Sequence, residues 1–230
     1  MKRTMPWMIA TTLALATAVA VGAAQTPTDE VERVEKSIAT LNQLTSAPDD
    51  GIPQYLLDRA EAIVVIPNLV KGGFIVGAKH GKGVISTRNR AAHQWSAPAF
   101  INMSGGTIGW QIGAESVDLV LLVMNPKGVD QLLQDRFTLS GEMAAAAGPV
   151  GRNATAATNA QVNAQILAYS RAKGLFAGAT LEGAALHSDK DSNRAMYGVD
   201  DVKGVLTGKK DGEAPAIVAS WRETLKRLAK

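Results

Sequence analysis

Residues 59–90 read RAEAIVVIPNLVKGGFIVGAKHGKGVISTRNR, and the fold turns on how this stretch is understood. Arg59 and Ala60 close a short helix. An apolar run, Ile63 to Ile66, follows and is broken by Pro67-Asn68. From Ile63 onward the apolar period becomes two, with Phe74, Val76 and Ala78 on one face, which is a strand pattern. Gly73–Lys79 and Val84–Arg88 therefore predict two β-segments joined by His80-Gly81-Lys82-Gly83 as a glycine-rich hairpin. Lys71, Lys79, Lys82, Arg88 and Arg90 are spread through it, and residues 71–90 carry no carboxylate. Such a hairpin either holds an anion or is a solvated edge that its lysines keep from pairing with another chain.

The flanking sequence extends the β reading. Trp95 to Met103 predicts a strand, with an edge or bulge at Pro98. Ile108, Trp110 and Ile112 alternate with polar or small residues, as a half-buried strand does. Val117 to Met124 is apolar at nearly every position, which predicts a central strand covered on both faces; Asp118 is its one polar intruder. Ile166–Ser170 and Leu175–Leu186 read as two further strands turning at Lys173-Gly174, and residues 153–163 as a polar connection. Helices lie outside this region. Thr26-Pro27 predicts a cap, after which Val31, Val34, Ile38, Leu41 and Leu44 form one apolar stripe. Short helices are expected over Pro53–Ala60 and Val129–Gln134. Ala216–Lys230 forms an amphipathic helix with Ile217, Trp221, Leu225 and Leu228 on one face and Arg222, Lys226, Arg227 and Lys230 opposite. The expected class is α+β: a curved, mainly antiparallel or barrel-like sheet with helices at both ends of the chain.

Residues 1–24 have the pattern of a secretory signal peptide. Lys2 and Arg3 precede an uncharged apolar stretch that ends in Gly22-Ala23-Ala24. The alternative is a retained anchor, since the span approaches the roughly 18 residues a membrane helix needs. Cleavage leaves residues 25–230 as one domain, periplasmic or secreted and able to associate with a membrane. It also removes two cations, so 22 Lys+Arg face 21 Asp+Glu, and global charge gives no steering toward nucleic acid. With no cysteine, disulfides and thiolate metal sites are excluded.

The search for chemistry yields one enzyme-like pattern. Gly77, Gly81 and Gly83 have the spacing of the short-chain dehydrogenase nucleotide loop, and Tyr169 and Lys173 that of its catalytic pair. A nucleotide loop must open a helix, however, and Gly83 is followed by the β pattern Val-Ile-Ser-Thr. His80, His93 and His187 show no metal-ligand spacing. Glu115, Asp118, Glu142 and Glu182 read as structural carboxylates. No catalytic residue, metal or cofactor is expected.

Several ordered motifs resemble the SYLF domain family. Asp58–Gly83 is similar to its opening motif, and Gly148-Pro-Val-Gly-Arg152 to its central one. Ala168-Tyr-Ser-Arg-Ala-Lys-Gly-Leu-Phe-Ala-Gly178 with Leu181-Glu-Gly183 resembles its most recognisable motif. Asn193–Gly198 followed by Val202–Gly208 resembles its ending. The likeness runs from about Thr28 to Leu228. It implies a non-enzymatic lipid-binding domain, whose eukaryotic members bind phosphoinositides and whose yeast members also bind actin. Those relatives contact membranes through a basic N-terminal segment, whereas the first helix here carries Asp29, Glu30, Glu32 and Glu35 against Arg33 and Lys36. Phosphoinositide and actin binding therefore do not carry over with the fold.

The expected partner is anionic phospholipid or a membrane surface, contacted through Lys71, Lys79, Lys82, Arg88 and Arg90. Trp221, Arg222, Lys226 and Arg227 form a second contact on the C-terminal helix. Two alternatives stand beside this: an envelope structural or protein-interaction module, and a lipid carrier with an interior pocket.

Overall fold

The computed structural model describes residues 28–47, 51–132, 134, 136–139, 145–150, 164–172, 175–177, 181, 183–200, 202–208 and 214–230. Along 73–76, 107–114, 136–137 and 175–177 it describes the backbone alone. The signal segment, the Thr26-Pro27 cap, the 153–163 connection, the Lys173-Gly174 turn, Glu142 and Glu182 lie outside the described residues.

Residues 59–90 do not form a hairpin. They build one strand, β1 (Ala62–Asn89), paired antiparallel along its length with β3 (Ala99–Val123). The three strands expected between Trp95 and Met124 likewise reduce to β3, preceded by the short β2 (Gln94–Trp95). His80-Gly81-Lys82-Gly83 is mid-strand, where His80 faces Ser104 and Gly83 faces Ile101 in register. The glycines punctuate a bend rather than a turn. A Cβ on Gly83 would lie 2.2 Å from the Val65 carbonyl oxygen, and one on Gly81 2.6 Å from Ile66 Cγ2. The second half of β1 thus folds back over its first half, and only residues without a side chain permit that approach.

Two register breaks accompany the bend, between Ile66 and Leu69 and between Gly73 and Ile75 of β1. At the first, Asn68 adopts φ +54°, a region asparagine tolerates better than most residues. Its N–H donates to Asp118 Oδ1 at 3.0 Å. The polar intruder of the central strand is the acceptor for this bulge.

β3 is central, as its apolar run predicts. It pairs with β1 on one side and with β6 (Ile166–Ala172) on the other. Strand order is β2-β1-β3-β6-β5, where β5 (Ala145–Ala147) runs parallel to β6. β4 (Arg136–Thr138) pairs β8 (Ala185–Ser188), β8 pairs the first half of β3, and β7 (Leu175–Ala177) pairs β6. The result is a curled, half-barrel mixed sheet with helices at both chain ends, α+β as expected. The Leu175–Leu186 segment supplies two short strands instead of one.

Alternation along the strands builds two apolar layers. Val64, Ile66, Leu119, Leu121 and Ile166 face one layer, toward which β1 doubles back. Ile63, Val65, Val120, Leu122 and Leu167 face the other, which is closed by helices. It is covered by α1 (Thr28–Ser46), α2 (Gln54–Arg59) and the C-terminal helix, with Met196 of a further short helix also buried in it. α3 (Pro126–Leu132) follows β3. Two helices were not foreseen as such, α4 (Lys190–Tyr197) and α5 (Val202–Leu206); the last, α6, spans Ala216–Leu228. α4 has Asp189 as its N-cap and Gly198, at φ +70°, as its C-cap, so its start and stop signals are conventional.

Two of the motifs meet in space. The Tyr169 hydroxyl donates to the Pro149 carbonyl at 3.2 Å, and a Cβ on Gly148 would lie 2.1 Å from the Tyr169 ring. Tyr169 is buried, which pushes its hydroxyl pKa up, with the nearby Tyr55 adding to the shift. Gly77–Gly83 is strand and does not open a helix, so these glycines do not form the nucleotide loop that their spacing suggested.

Candidate functional site

The five cations of β1 do not gather. Lys71 stands opposite Glu115 across the β1–β3 ladder. Lys79 is buried, at 3% exposure, and its chain lies over Gly105: a Cβ there would come within 2.9 Å of Lys79 Cε. Burial, with the charge of Lys71 second, pushes its ammonium below the usual lysine range. Lys79 is therefore not a surface cation.

Lys82 is exposed, but the recess of about 380 Å³ beside it is also lined by Asp29, Glu32 and Lys36 of α1. Arg88 donates to the Asp58 carbonyl at 2.7 Å and lies 5.6 Å from the centre of the Trp95 ring. Arg90 pairs with Glu61 at 2.7 Å and donates to the Arg59 carbonyl. The stretch lacks carboxylates only along the chain; α1, Glu61 and Glu115 supply them in space.

The C-terminal helix divides the other four residues. Trp221 is fully buried, and its indole N–H donates to Ser86 Oγ at 2.7 Å. It is a core residue, so its expected place at a membrane is corrected. Helical spacing puts Lys226 and Arg227 on the exposed outer side of α6, since Trp221 and Leu225 turn inward, while Arg222 is half-buried at its flank with its Nε covered. They form one wall of an open groove of about 1000 Å³. The opposite wall comes from the end of β1, the 90–93 turn, β2 and the residues after α5, and offers Asn89, Gln94 and Thr207. Glu223 is the one carboxylate among the described lining residues, and His93 lies at the rim with φ +51°. Arg227 is anchored by donating to Asn42 Oδ1 at 2.8 Å.

Sequence reasoning found the cations of this groove but not the residues of the β1, β2 and post-α5 segments that line it. Thr207 and Asn89 lie more than a hundred residues apart; the Thr87 hydroxyl, donating to the Leu206 carbonyl at 2.9 Å, and the packing of Ile85 in one cluster with Leu206 bring these segments together.

A second polar cluster lies in the interior. Arg33 donates to Asp189 Oδ2 at 2.8 Å and to Ser192 Oγ at 3.2 Å, with its guanidinium 5.2 Å from the Phe100 ring centre. Asn193 clamps Phe100 through both backbone groups, at 2.8 and 3.0 Å. Burial alone would raise the Asp189 pKa; the Arg33 hydrogen bond, the Ser192 N–H and the Arg33 charge outweigh it and hold the carboxyl below its ordinary range. Every polar group here has a partner inside the protein, which marks the cluster as structural.

One recess among the described residues bears on a carried lipid, and it is far too small for an acyl chain. The recess among Ile85, Ile101, Leu132, Leu186 and Val202 is about 10 Å³, the space of about one water molecule. Among the described residues no group of three or more His, Asp or Glu is placed to hold a metal, and no helix is long and apolar enough to cross a membrane.

Residues 104–228, from early in β3 to the end of α6, match the family described as Ysc84: Las17-binding protein actin regulator. The chain belongs to this family. The SYLF resemblance read from the motifs names the same group. The chain is similar to Protein YSC84 of Saccharomyces cerevisiae, 36% identical over 186 residues, which are 79% of this chain and 39% of that protein. It is also similar to the SH3 domain-containing YSC84-like protein 1 of Xenopus laevis, 33% identical over 74% of this chain and 50% of that protein. The human protein of that name is 32% identical over 73% of this chain. The chain thus spans half or less of the length of these Ysc84-family relatives.

Proposed function

We propose that this Ysc84-family chain is an exported, non-catalytic module that attaches peripherally to anionic phospholipid surfaces. One observation carries the reading: Lys226 and Arg227 stand exposed on the outer side of α6, with the half-buried Arg222 at its flank, while its apolar side is committed to the core. A cation near an anionic membrane contributes about 1 kcal/mol, so the exposed pair gives weak, reversible attachment that salt screens. The contact shifts from β1 to α6, because the cations of β1 are buried, tied to backbone carbonyls or set beside carboxylates.

Co-sedimentation tests the reading. Vesicles of equal parts phosphatidylcholine and phosphatidylglycerol should carry the protein down at low salt and release it as salt rises; phosphatidylcholine alone should not. Equal binding to both vesicles sinks the proposal.

A second reading rests on the names of the relatives. A yeast relative is named LAS seventeen-binding protein 3, which fits a protein-interaction module. A discrete protein partner captured without any vesicle binding favours that reading.

A further inference from the structure

The recess between the start of α1 and the bend of β1 is lined by charges of both signs. Asp29, Glu32, Arg33 and Lys36 stand on its helix side, and His80 and Lys82 on its strand side. Several of these groups are already engaged. Glu32 pairs with Lys36 at 2.7 Å, and Arg33 with Asp189 at 2.8 Å. Among the described residues, the side chains of Asp29, His80 and Lys82 have no hydrogen-bond or ion-pair partner, although they border one recess of about 380 Å³. Residues 4–27, before the helix, and 73–76, along the strand, contribute no charged side chain.

Local structure sets the two walls. Successive strand residues point to opposite faces, and the Gly81 position is pressed against Ile66 and Leu69. His80 and Lys82 therefore turn away from that contact, toward α1. The bulge at Pro67-Asn68, with Asn68 at φ +54° and its N–H on Asp118, leads into Val70. Val70 is 49% exposed and gives the recess an uncovered apolar patch. A non-glycine residue held at positive φ is a feature that clusters at ligand sites. The Arg33–Asp189 pair fixes α1, so the walls stand in place without a ligand and little ordering cost attends binding.

A simple anion would meet the Asp29 side and a simple cation the Lys82 side, so neither suits both walls. A ligand that carries both charges does. We propose that this recess binds a free aliphatic α-amino acid, one per chain, with its ammonium on Asp29, its carboxylate on Lys82 and His80, and its side chain against Val70 and Pro67. Charge-assisted hydrogen bonds at both ends orient it, and the volume lies within the range of small-ligand sites. The inference goes beyond the membrane reading and shares no residue with it, because α6 takes no part; either can fail alone.

Calorimetric titration of the full chain tests the site with leucine and three relatives. Isocaproate lacks the ammonium, isoamylamine lacks the carboxylate, and glycine lacks the side chain. Leucine should saturate at one per chain, and each relative should bind at least about tenfold more weakly. Asp29→Asn should weaken leucine about tenfold and bring it level with isocaproate. Lys82→Gln should weaken it similarly and bring it level with isoamylamine. Both positions are exposed, so unchanged thermal midpoints separate lost binding from lost fold. Lys226→Gln, on α6, should leave the leucine isotherm unchanged while weakening vesicle attachment.

Absence of saturation by leucine overturns the site, whatever the vesicles do. Equal binding of isocaproate overturns the role of Asp29, and equal binding of glycine that of Val70. Phosphoethanolamine is the counter-probe, since it carries both charges without an α-carboxylate. Tighter binding of phosphoethanolamine than of leucine overturns the amino-acid assignment.

Discussion

Arg33 and Asp189, separated by 156 residues in sequence, form an ion pair of 2.8 Å in which both side chains are 9% exposed. The pair joins the first helix to the N-cap of α4, and through Asn193 to the start of β3. Breaking a buried pair from one side strands a charge, at a cost of about 3–5 kcal/mol. Arg33→Ala is therefore expected to lower unfolding free energy by about 3 kcal/mol. The pH dependence has a definite sign. Because the Asp189 pKa is depressed on folding, its contribution is present above the ordinary aspartate value of about 4 and is lost as pH falls through the lower folded value. Urea titrations at neutral pH and in strong acid should show Asp189→Asn much less stable than the wild type at neutral pH, and the difference shrinking in acid.

The fold-back of β1 rests on contacts that no side chain can share. At Gly83 a Cβ would meet the Val65 carbonyl, which is strand backbone and cannot rotate away, whereas at Gly106 nothing lies within 4 Å. Gly83→Ala should then cost about 1–3 kcal/mol or more through overpacking, and Gly106→Ala should be nearly neutral. Thermal unfolding of the two variants decides it. Equal tolerance at both positions would mean that the halves of β1 do not approach as described.

Residues of α6 should separate stability from binding. Trp221→Phe removes the indole donor to Ser86 and opens space in the layer of Ile63, Val65 and Leu225, for a loss of about 1–3 kcal/mol. Its effect on vesicle attachment, measured where the variant is still folded, should be negligible. The double variant Lys226→Gln/Arg227→Gln should do the reverse, weakening attachment while shifting the unfolding midpoint little. A fall in attachment with Trp221→Phe at full foldedness would place the ring at the membrane after all.

What could be read from the sequence follows the range of each interaction. The central strand, the amphipathic helices and the curvature were legible, because period and glycine content are local signals. The hairpin was misread for a local reason as well: His80-Gly81-Lys82-Gly83 has turn composition, and only Val65 and Ile66, some fifteen residues earlier, show that these glycines serve an approach within the ladder. Asp118 looked anomalous until Asn68 supplied its donor across the sheet. The cation cluster failed similarly. Charge counted along 71–90 ignores Glu61, Glu115, Asp29 and Glu32, which the fold brings to the same neighbourhoods.

Lys79 offers the sharpest check on that last point. Replacing a buried cation by methionine, a chain of similar length without charge, changes stability in a pH-dependent way, whereas replacing a surface cation does not. With its pKa lowered on folding, first by burial and then by Lys71, Lys79 binds fewer protons in the folded protein than in the unfolded chain. Its charge therefore opposes folding fully below the folded pKa, and that penalty disappears as pH rises toward the ordinary lysine value of about 10.4. Lys79→Met escapes the penalty at every pH. The difference in unfolding free energy, Lys79→Met minus wild type, should thus move in favour of the wild type between pH about 7 and about 10. Urea unfolding across that range measures it. A flat difference would return Lys79 to the surface, and with it the case for a lipid contact on β1.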